Sequence, residues 1–347
     1  MKKIAYIELD THAEIAQNFI EVMKGSEVFS VDCYFSKKIK DQVKEEENVR
    51  LSDSSMILDQ LKNQQYDLII IGTVHRYFNT FSAIASKYNT AVIVHNLNFM
   101  GTSGLSLMKN IFKEDVVYRL KLWWKEGLYY ASSIYKKTKS RLVLDQELSS
   151  PELIHLPLFY TKPSEKEINS HLVVGIPGGV SQKRRDYHHV FNTIKKLAPS
   201  QTIEFILLGK AKGEELEEIS NLCEELPPPV KIQYFTERVS PEDFDQLMSK
   251  TDVLWCPIQQ QTEFFSQKEL YGKTKMTGNI GDAIKYGKPA VFPSGYSSNL
   301  GFIFPEQPDI LKQFQELKEN NFDFHADYAK EKVREQAEKV LLKLILT

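Results

Sequence analysis

"YGKTKMTGNIGDAIKYGKP" (271–289) sets glycines and lysines around one short helical stretch. Gly272-Lys273-Thr274 imitates the end of a nucleotide-triphosphate loop, which reads G-x-x-x-x-G-K-[ST] directly after a strand. Gln267 stands where the first glycine belongs, and no strand is expected before Gly272, so that reading fails. A better one starts a helix at Thr277-Gly278 and runs it to Gly287, with Ile280, Ala283 and Ile284 as an apolar stripe at i, i+3, i+4. Backbone N–H groups in a first helical turn lack partners and the dipole is positive there, so such an end can receive an anion. Lys275, two residues earlier, could add charge, and Asp282, off the stripe, could accept from ribose hydroxyls. A capped surface helix with a solvated Asp282 fits this stretch as well, and the segment by itself does not choose.

Around it the chain alternates β-rich and helical runs. In the first half the strands are "KIAYIEL" (3–9), "EVFSVDCYF" (27–35), "YDLIIIG" (66–72), "AVIVHN" (91–96) and a weaker "RLVLD" (141–145). The third and fourth are apolar enough for burial on both faces, as in a parallel sheet, and "FNTFSAIASKY" between them suits a crossover helix. The pattern restarts with "HLVVGIPGG" (171–179), "IEFILLG" (203–209), "VKIQYF" (230–235), "DVLWCPI" (252–258) and "PAVFPSG" (289–295). Ser240 is a suitable N-cap for "SPEDFDQLMSK", followed by acids in the first turn. Strand–helix alternation twice over predicts two Rossmann-like, doubly wound α/β domains. The expected boundaries are 1–160, 165–325 and a C-terminal segment 326–347 read as one long amphipathic helix crossing the joint, with the joint itself near 155–170. Two such domains facing each other would make a cleft lined by the carboxyl ends of both sheets, so loops after strands should carry function.

The bulk properties exclude several classes. A chain of 347 residues is long for one core. With net charge −2 and a pI of about 6.5, no global field points to nucleic acid. Cys33, Cys223 and Cys256 are odd in number, without metal spacing or a disulfide framework, which suits a reducing compartment. Glu8 and Asp10 interrupt the opening apolar run too early for a signal peptide, and no run reaches the roughly 18 apolar residues of a membrane span. The expectation is a cytoplasmic protein that binds no metal.

A second loop, "IPGGVSQKRRDYHH" (176–189), follows the first strand of the second half. Gly178 and Gly179 allow close backbone approach, and Lys183, Arg184 and Arg185 precede a helix whose dipole they oppose, which favours a ligand there. Two positive, glycine-flexible loops after strands of one sheet suit a diphosphate with an attached nucleoside. Asp243-Phe244-Asp245 spells D-x-D, but in a helical setting, and reads as a solvated face.

Paired Rossmann-like halves together with "GGVSQKRRDY", "FILLGKAKGEE" and "LMSKTDVLWCPI…YGKTKMTGNIGDAIKYGKPAV" resemble the GT-B glycosyltransferases, and among them the family-4-like group that uses nucleotide-sugar donors. The similarity is strong over 172–295 and architectural before 160. It implies that Gly179 with Lys183 or Arg184 meets the donor diphosphate and that Asp282, in the Glu-Ala-x-x-x-Gly-x-Pro pattern, holds the ribose. The loop after "KIQYF", with Thr236 and Glu237, would cradle the base. Gly178, Lys275, Thr277 and Gly278 complete the donor set, and Thr274 stands where retaining members carry a second Glu. That departure puts a retaining mechanism in doubt; Glu269 and Glu263 are near but out of register.

The first half should then hold the acceptor, through Asp10, Thr11 and His12, through His75 and Arg76 after Thr73, and through His95 and Asn96. "VHN" resembles the "HN" or "HD" that family members place at the cleft. An inverting enzyme needs a base beside the acceptor hydroxyl, and His12 and His95 are the catalytic candidates, against the alternative of purely structural histidines. In 110–141, eight basic residues against three acidic ones accompany Trp123, Trp124, Tyr129 and Tyr130. Such a stretch suits weak contact with an anionic surface at the inner membrane face, a lipid-linked acceptor, or a core-facing stripe with snorkelling lysines. The resemblance implies transfer from a nucleotide-diphospho-sugar co-substrate, without other cofactor, to a glycan or lipid-linked acceptor in polysaccharide or glycolipid assembly. A nucleotide-sugar epimerase and a non-catalytic nucleotide-sugar-binding scaffold are the alternatives.

Overall fold

Two sheets form because helices between most of the apolar runs bring the next strand back parallel. The computed structural model describes residues 1–44, 47–163, 169–199 and 201–346. Among these, the first sheet contains β1 (Lys2–Glu8), β2 (Phe29–Phe35), β3 (Val49–Leu51), β4 (Leu68–Ile71), β5 (Thr90–Ile93), β6 (Ser140–Val143) and β7 (Ile154–His155), ordered β3-β2-β1-β4-β5-β6-β7. The second contains β8 (Leu172–Pro177), β9 (Ile203–Lys210), β10 (Val230–Phe235), β11 (Val253–Trp255), β14 (Ala290–Phe292) and β15 (Ile303–Pro305), ordered β10-β9-β8-β11-β14-β15. All pairings within both sheets are parallel. A separate two-stranded ribbon joins β12 (Gln261–Phe264) and β13 (Gln267–Leu270).

Every residue of β4, β5 and β8 is buried, as a parallel strand covered by helices on both faces requires. In each sheet the connections run outward in one direction and then in the other. This reversal places a topological switch between β1 and β4, and another between β8 and β11. Ligands of open α/β sheets settle at the carboxyl ends of strands flanking such points.

Contacts divide the chain into two compact units, 1–159 with 263–276 and 330–347, and 160–262 with 277–329. The segment 263–276, which the sequence assigns to the second half, is therefore part of the first unit. Its ribbon packs Phe264 and Phe265 onto the first core, and Glu269 fastens it there. Part of the expected joint, 164–168, lies outside the described residues, and with it the expected start of the second domain at 165.

Several expectations need correction. A strand, β13, does precede Gly272, although Gln267 still breaks the phosphate-loop spacing. The expected long C-terminal helix is present as Lys330–Leu346 but starts four residues later than expected, after a short helix, Phe324–Tyr328, and Ala329, whose ψ of 140° is extended. Residues 326–328 stay with the second unit, and the longer helix belongs to the first, where Ser26 Oγ donates to Glu338 Oε1 at 2.6 Å. Asp245 is no solvated face residue. It accepts from Lys162 Nζ at 3.0 Å and from the Tyr286 hydroxyl; although burial raises its pKa, these partners and Lys285 bring it below the usual carboxylate value.

Candidate functional site

At the switch of the first sheet, the chain leaves β1 through Glu8, an acid at the end of an apolar strand and fully buried. One carboxylate oxygen accepts from the backbone N–H of Asp10 (3.1 Å) and Thr11 (3.3 Å), and the other from the Thr73 hydroxyl at 2.6 Å. Glu8 thus ties the loop carrying His12 to the loop carrying His75. Burial raises its pKa, and these hydrogen bonds and the nearby His12 only partly offset that. Gly72 is held to glycine by space, since a Cβ would lie 2.7 Å from both Glu8 Oε2 and the Tyr6 hydroxyl. Its carbonyl accepts from His95 Nε2 at 2.8 Å.

These ties gather three imidazoles. His12 stacks on His95 with centroids 3.9 Å apart at 15°, and His75 stands edge-on at 5.7 Å from His12 and 5.8 Å from His95. A carbonyl only accepts, so the neutral His95 ring carries its proton on Nε2 and a lone pair on Nδ1. The Asn96 amide donates to His75 Nε2 at 3.2 Å, which puts the His75 proton on Nδ1. His12 Nδ1 faces Glu14 Oε1 at 3.1 Å. His75 and His95 keep some accessible surface, yet crowding protein atoms desolvate their rings. Burial first, and then the charges of His12 and Lys275, push both well below the usual imidazole value. Both rings are neutral at pH 7, and His95 Nδ1 can take a proton from a hydroxyl placed beside it.

Asp10, Thr11, His12, His75, His95 and Asn96 are therefore brought together as expected positions around one switch point. Arg76 turns away: its guanidinium forks onto Glu126, which also accepts from the Tyr77 N–H at 2.9 Å.

At the switch of the second sheet, β8 ends in Pro177 and turns at Gly178, whose φ of +104° suits glycine. The Arg185 guanidinium lies directly over Gly178, and Arg185 Nε is buried without a hydrogen-bond partner among the described residues. The basic loop is stitched to the end of β11: Asp186 N donates to Pro257 O (2.7 Å) and Gln259 N to Arg184 O (3.0 Å). Lys183 and Arg184 are exposed on this loop, and Arg185 is the cation seated at the glycine turn.

The helix Gly278–Tyr286 begins at Thr277, whose side chain accepts from Asn279 N, and ends at Gly287 with φ 61°. A Cβ on Gly278, or on Gly179, would meet nothing within 4 Å, so open space fronts both. Buried Asn279 donates through Nδ2 to Pro177 O (3.3 Å) and to Asp282 Oδ2 (3.2 Å). Asp282 is close enough to the end of β11 to raise the Cys256 thiol, after burial, the larger cause. Gly178, Gly179, Thr277, Gly278 and Asp282 thus share one switch point.

Four further expected donor residues are carried by other elements. Thr236 and Glu237 follow β10, two strands out from β8, where Glu237 pairs with Lys210 at 3.1 Å. Thr274 and Lys275 belong to the first unit. Thr274 Oγ1 accepts from Leu270 N at 2.8 Å, closing the turn after β13, and the Lys275 charge acts on His75 and His95. Glu269 cannot stand in for the missing family carboxylate: it is buried, accepting from the N–H groups of Asn98 (3.3 Å) and Phe99 (2.9 Å). The sequence reading missed Glu8, Gly72, Asn279 and Phe264. For Glu8 a signal existed, an acid ending an otherwise apolar buried strand.

No family model matches the chain, and no curated protein matches it in sequence. Solved structures do match it. A glycotransferase of kitacinnamycin is similar with TM-score 0.52 and 11% identity, covering 99% of this chain and 98% of its own. The apo lipopolysaccharide outer core galactosyltransferase WaaB gives 0.52 and 10%, covering 98% and 99%. A UDP-GlcNAc 2-epimerase from Methanocaldococcus jannaschii gives 0.54 and 9%, covering 98% and 99%. Two parallel sheets, of seven and six strands, that both begin from the order 3-2-1-4-5-6, and end-to-end likeness to these structures establish that the chain has the GT-B fold.

Proposed function

We propose that this protein is a glycosyltransferase that moves a sugar from a nucleotide-diphospho-sugar to a hydroxyl of a glycan or lipid-linked acceptor. The observation that carries the reading is the Asn279 bridge, which joins the end of β8 and the ribose candidate Asp282 at a helix start fronted by open space. Arg185, the Gly178-Gly179 turn and the N–H groups of the first helical turn would bind the diphosphate. The acceptor oxygen would attack the anomeric carbon while the bond from that carbon to the phosphate oxygen breaks. The nucleoside diphosphate leaves with the electron pair, and the acceptor proton passes to His95 Nδ1 or to His12. A base on the acceptor side asks nothing of Thr274, so a single inverting displacement fits this chain best. Pyrophosphate charge would be met by Arg185 and backbone dipoles, and the reading calls for no metal or resident cofactor.

Thermal-shift measurement against a panel of nucleoside diphosphates and their sugars tests the donor half. One of them should raise the melting temperature, and Arg185→Ala and Asp282→Ala should each weaken binding about tenfold or more, as for a lost charge-assisted contact of about 1.5–3 kcal/mol. No response to any nucleotide would remove the reading. The epimerase structure supports a second reading, in which the sugar changes without an acceptor. Incubation with donor alone separates them, because an epimerase alters the sugar unaided. A scaffold would bind nucleotide and leave both donor and acceptor unchanged.

The acceptor end of the reading includes weak membrane contact. No helix of the described residues is long and apolar enough to cross a membrane. Yet Leu105, Phe112, Val117 and Trp124 are 71%, 69%, 85% and 80% exposed, interleaved with Lys109, Lys113, Lys121 and Lys125. Trp123 instead packs on the core, so the core-stripe alternative accounts for one tryptophan and not its neighbour. Exposed apolar side chains alternating along the chain with exposed lysines suit an anionic bilayer surface. Flotation with anionic vesicles should carry the protein up, and Trp124→Ala with Val117→Asp should reduce the bound fraction several-fold. Failure of the parent protein to float with these vesicles would rule membrane contact out.

A further inference from the structure

The ribbon β12–β13 reaches the histidine site from a part of the chain about 170 residues downstream of Phe99. Its two-residue turn is Phe265-Ser266, with φ of 49° and 53°, the left-handed geometry that hairpin turns favour but that bulky side chains avoid. Such strain persists only where surrounding contacts fix it. Here Glu269 is fastened to the N–H groups of Asn98 and Phe99, and Asn98 Nδ2 donates to Lys268 O at 2.8 Å. Asn110 Nδ2 donates to Phe265 O (3.2 Å) and Arg119 Nη1 to Ser266 Oγ (2.8 Å).

What these fasteners hold in place is Phe264, whose ring centre is 4.3 Å from His75 and 4.8 Å from Phe99. Phe99 is fully buried, whereas Phe264 is only half-buried. Next to His75 sits Asn96, 3% exposed, whose Oδ1 has no hydrogen-bond partner among the described residues. A buried acceptor without a donor costs stability unless a ligand supplies one. An aromatic ring, an unfilled acceptor and the His95 lone pair together match a pyranose, which offers an apolar C–H face and hydroxyl donors.

We propose that β12–β13 is an acceptor-recognition element, with Phe264 as the platform for a pyranose ring whose hydroxyls reach Asn96 and His95. The acceptor role rests on the glycosyltransferase reading; the sugar binding itself does not. Saturation-transfer difference NMR on the full chain tests it, with the methyl glycosides of glucose, galactose and N-acetylglucosamine as probes. At least one probe should receive saturation on its ring C–H protons. Phe264→Leu, which keeps apolar bulk against Phe99, should weaken that probe about tenfold, and Phe264→Tyr should retain it. Nucleotide-induced thermal shifts, measured on the same variants, should not change. The proposal is overturned if no probe saturates with the parent protein, or if Phe264→Leu binds as well as the parent. Sugar binding without any nucleotide response would uphold the hairpin and reject the donor reading; nucleotide response without sugar binding would do the reverse.

Discussion

Gly209→Ala is expected to abolish the nucleotide-induced thermal shift and to destabilise the protein by about 3 kcal/mol, the upper part of the range for overpacking. Gly209 lies in β9 beside the turn that ends β8. A Cβ there would sit 2.6 Å from Gly178 C and Gly179 Cα, and closer still to Gly178 O. All three are backbone atoms, so no side chain can swing aside. The turn cannot retreat cheaply either, because Gly178 N donates to Leu208 O (3.3 Å) and Val180 N to Lys210 O (3.2 Å). Any displacement moves the surface under Arg185 and the carbonyl end that Asn279 grips. Gly179→Ala is the control, since its Cβ would meet nothing within 4 Å. Urea unfolding should place that control within about 0.5 kcal/mol of the parent. A Gly209→Ala protein with parental stability and nucleotide response would show that the turn is more compliant than its contacts imply.

Acidification should destabilise the fold through His75 and His95. Both have pKa values well below that of a free imidazole, chiefly from burial, so between about pH 6.5 and their folded values the unfolded chain binds protons that the native chain does not. Stability is then fully present above this window and falls as pH falls into it, by up to about 1.4 kcal/mol per pH unit for each ring. From pH 7.0 to 5.5 the pair should therefore lower the stability. Glu8 acts with the opposite sign. Its raised pKa contributes stability that is present below its unfolded value and is lost as pH rises through the folded one. Glu8→Gln keeps acceptor and donor capacity in place and removes this opposing contribution, while His155, whose pKa burial also lowers, adds to the histidine dependence with the same sign. Urea midpoints at the two pH values check this, and a difference under about 0.5 kcal/mol would contradict the assigned neutral rings. The same neutrality sets the acid limb of transfer activity well below pH 6.5, because a base at His95 works until that ring protonates.

Much of the fold was legible because its determinants are local. A strand covered on both faces must be continuously apolar, and β1, β2, β4, β5, β8, β9, β10, β11 and β14 all fall on the runs expected of them. Thr277, Ser240 and Gly287 end their helices as their side chains, or the lack of one, dictate. Strands β3, β7 and β15 were not legible, being two or three residues long at or near sheet ends, where burial asks little of the sequence. Nor was β12–β13, whose turn uses Phe265-Ser266 in place of the Asn-Gly or Asp-Gly that usually marks such geometry.

The sites divide in the same way. Glycine turns, basic residues and histidines after strands could be named in advance, because strand ends face the ligand side in any doubly wound sheet. Which of them meet could not. The choice of Arg185 over Lys183 for the glycine turn depends on how the basic loop pairs with the end of β11. The transfer of Thr274 and Lys275 to the first unit depends on buried Glu269 finding two N–H groups about 170 residues away. Amino-acid order alone thus settled the two-sheet architecture and its capped helices, since periodicity and capping act within a turn or two of chain. Tertiary packing alone decided the shared histidine site and the ownership of the hairpin. Those follow from which distant polar groups satisfy one another once water is excluded.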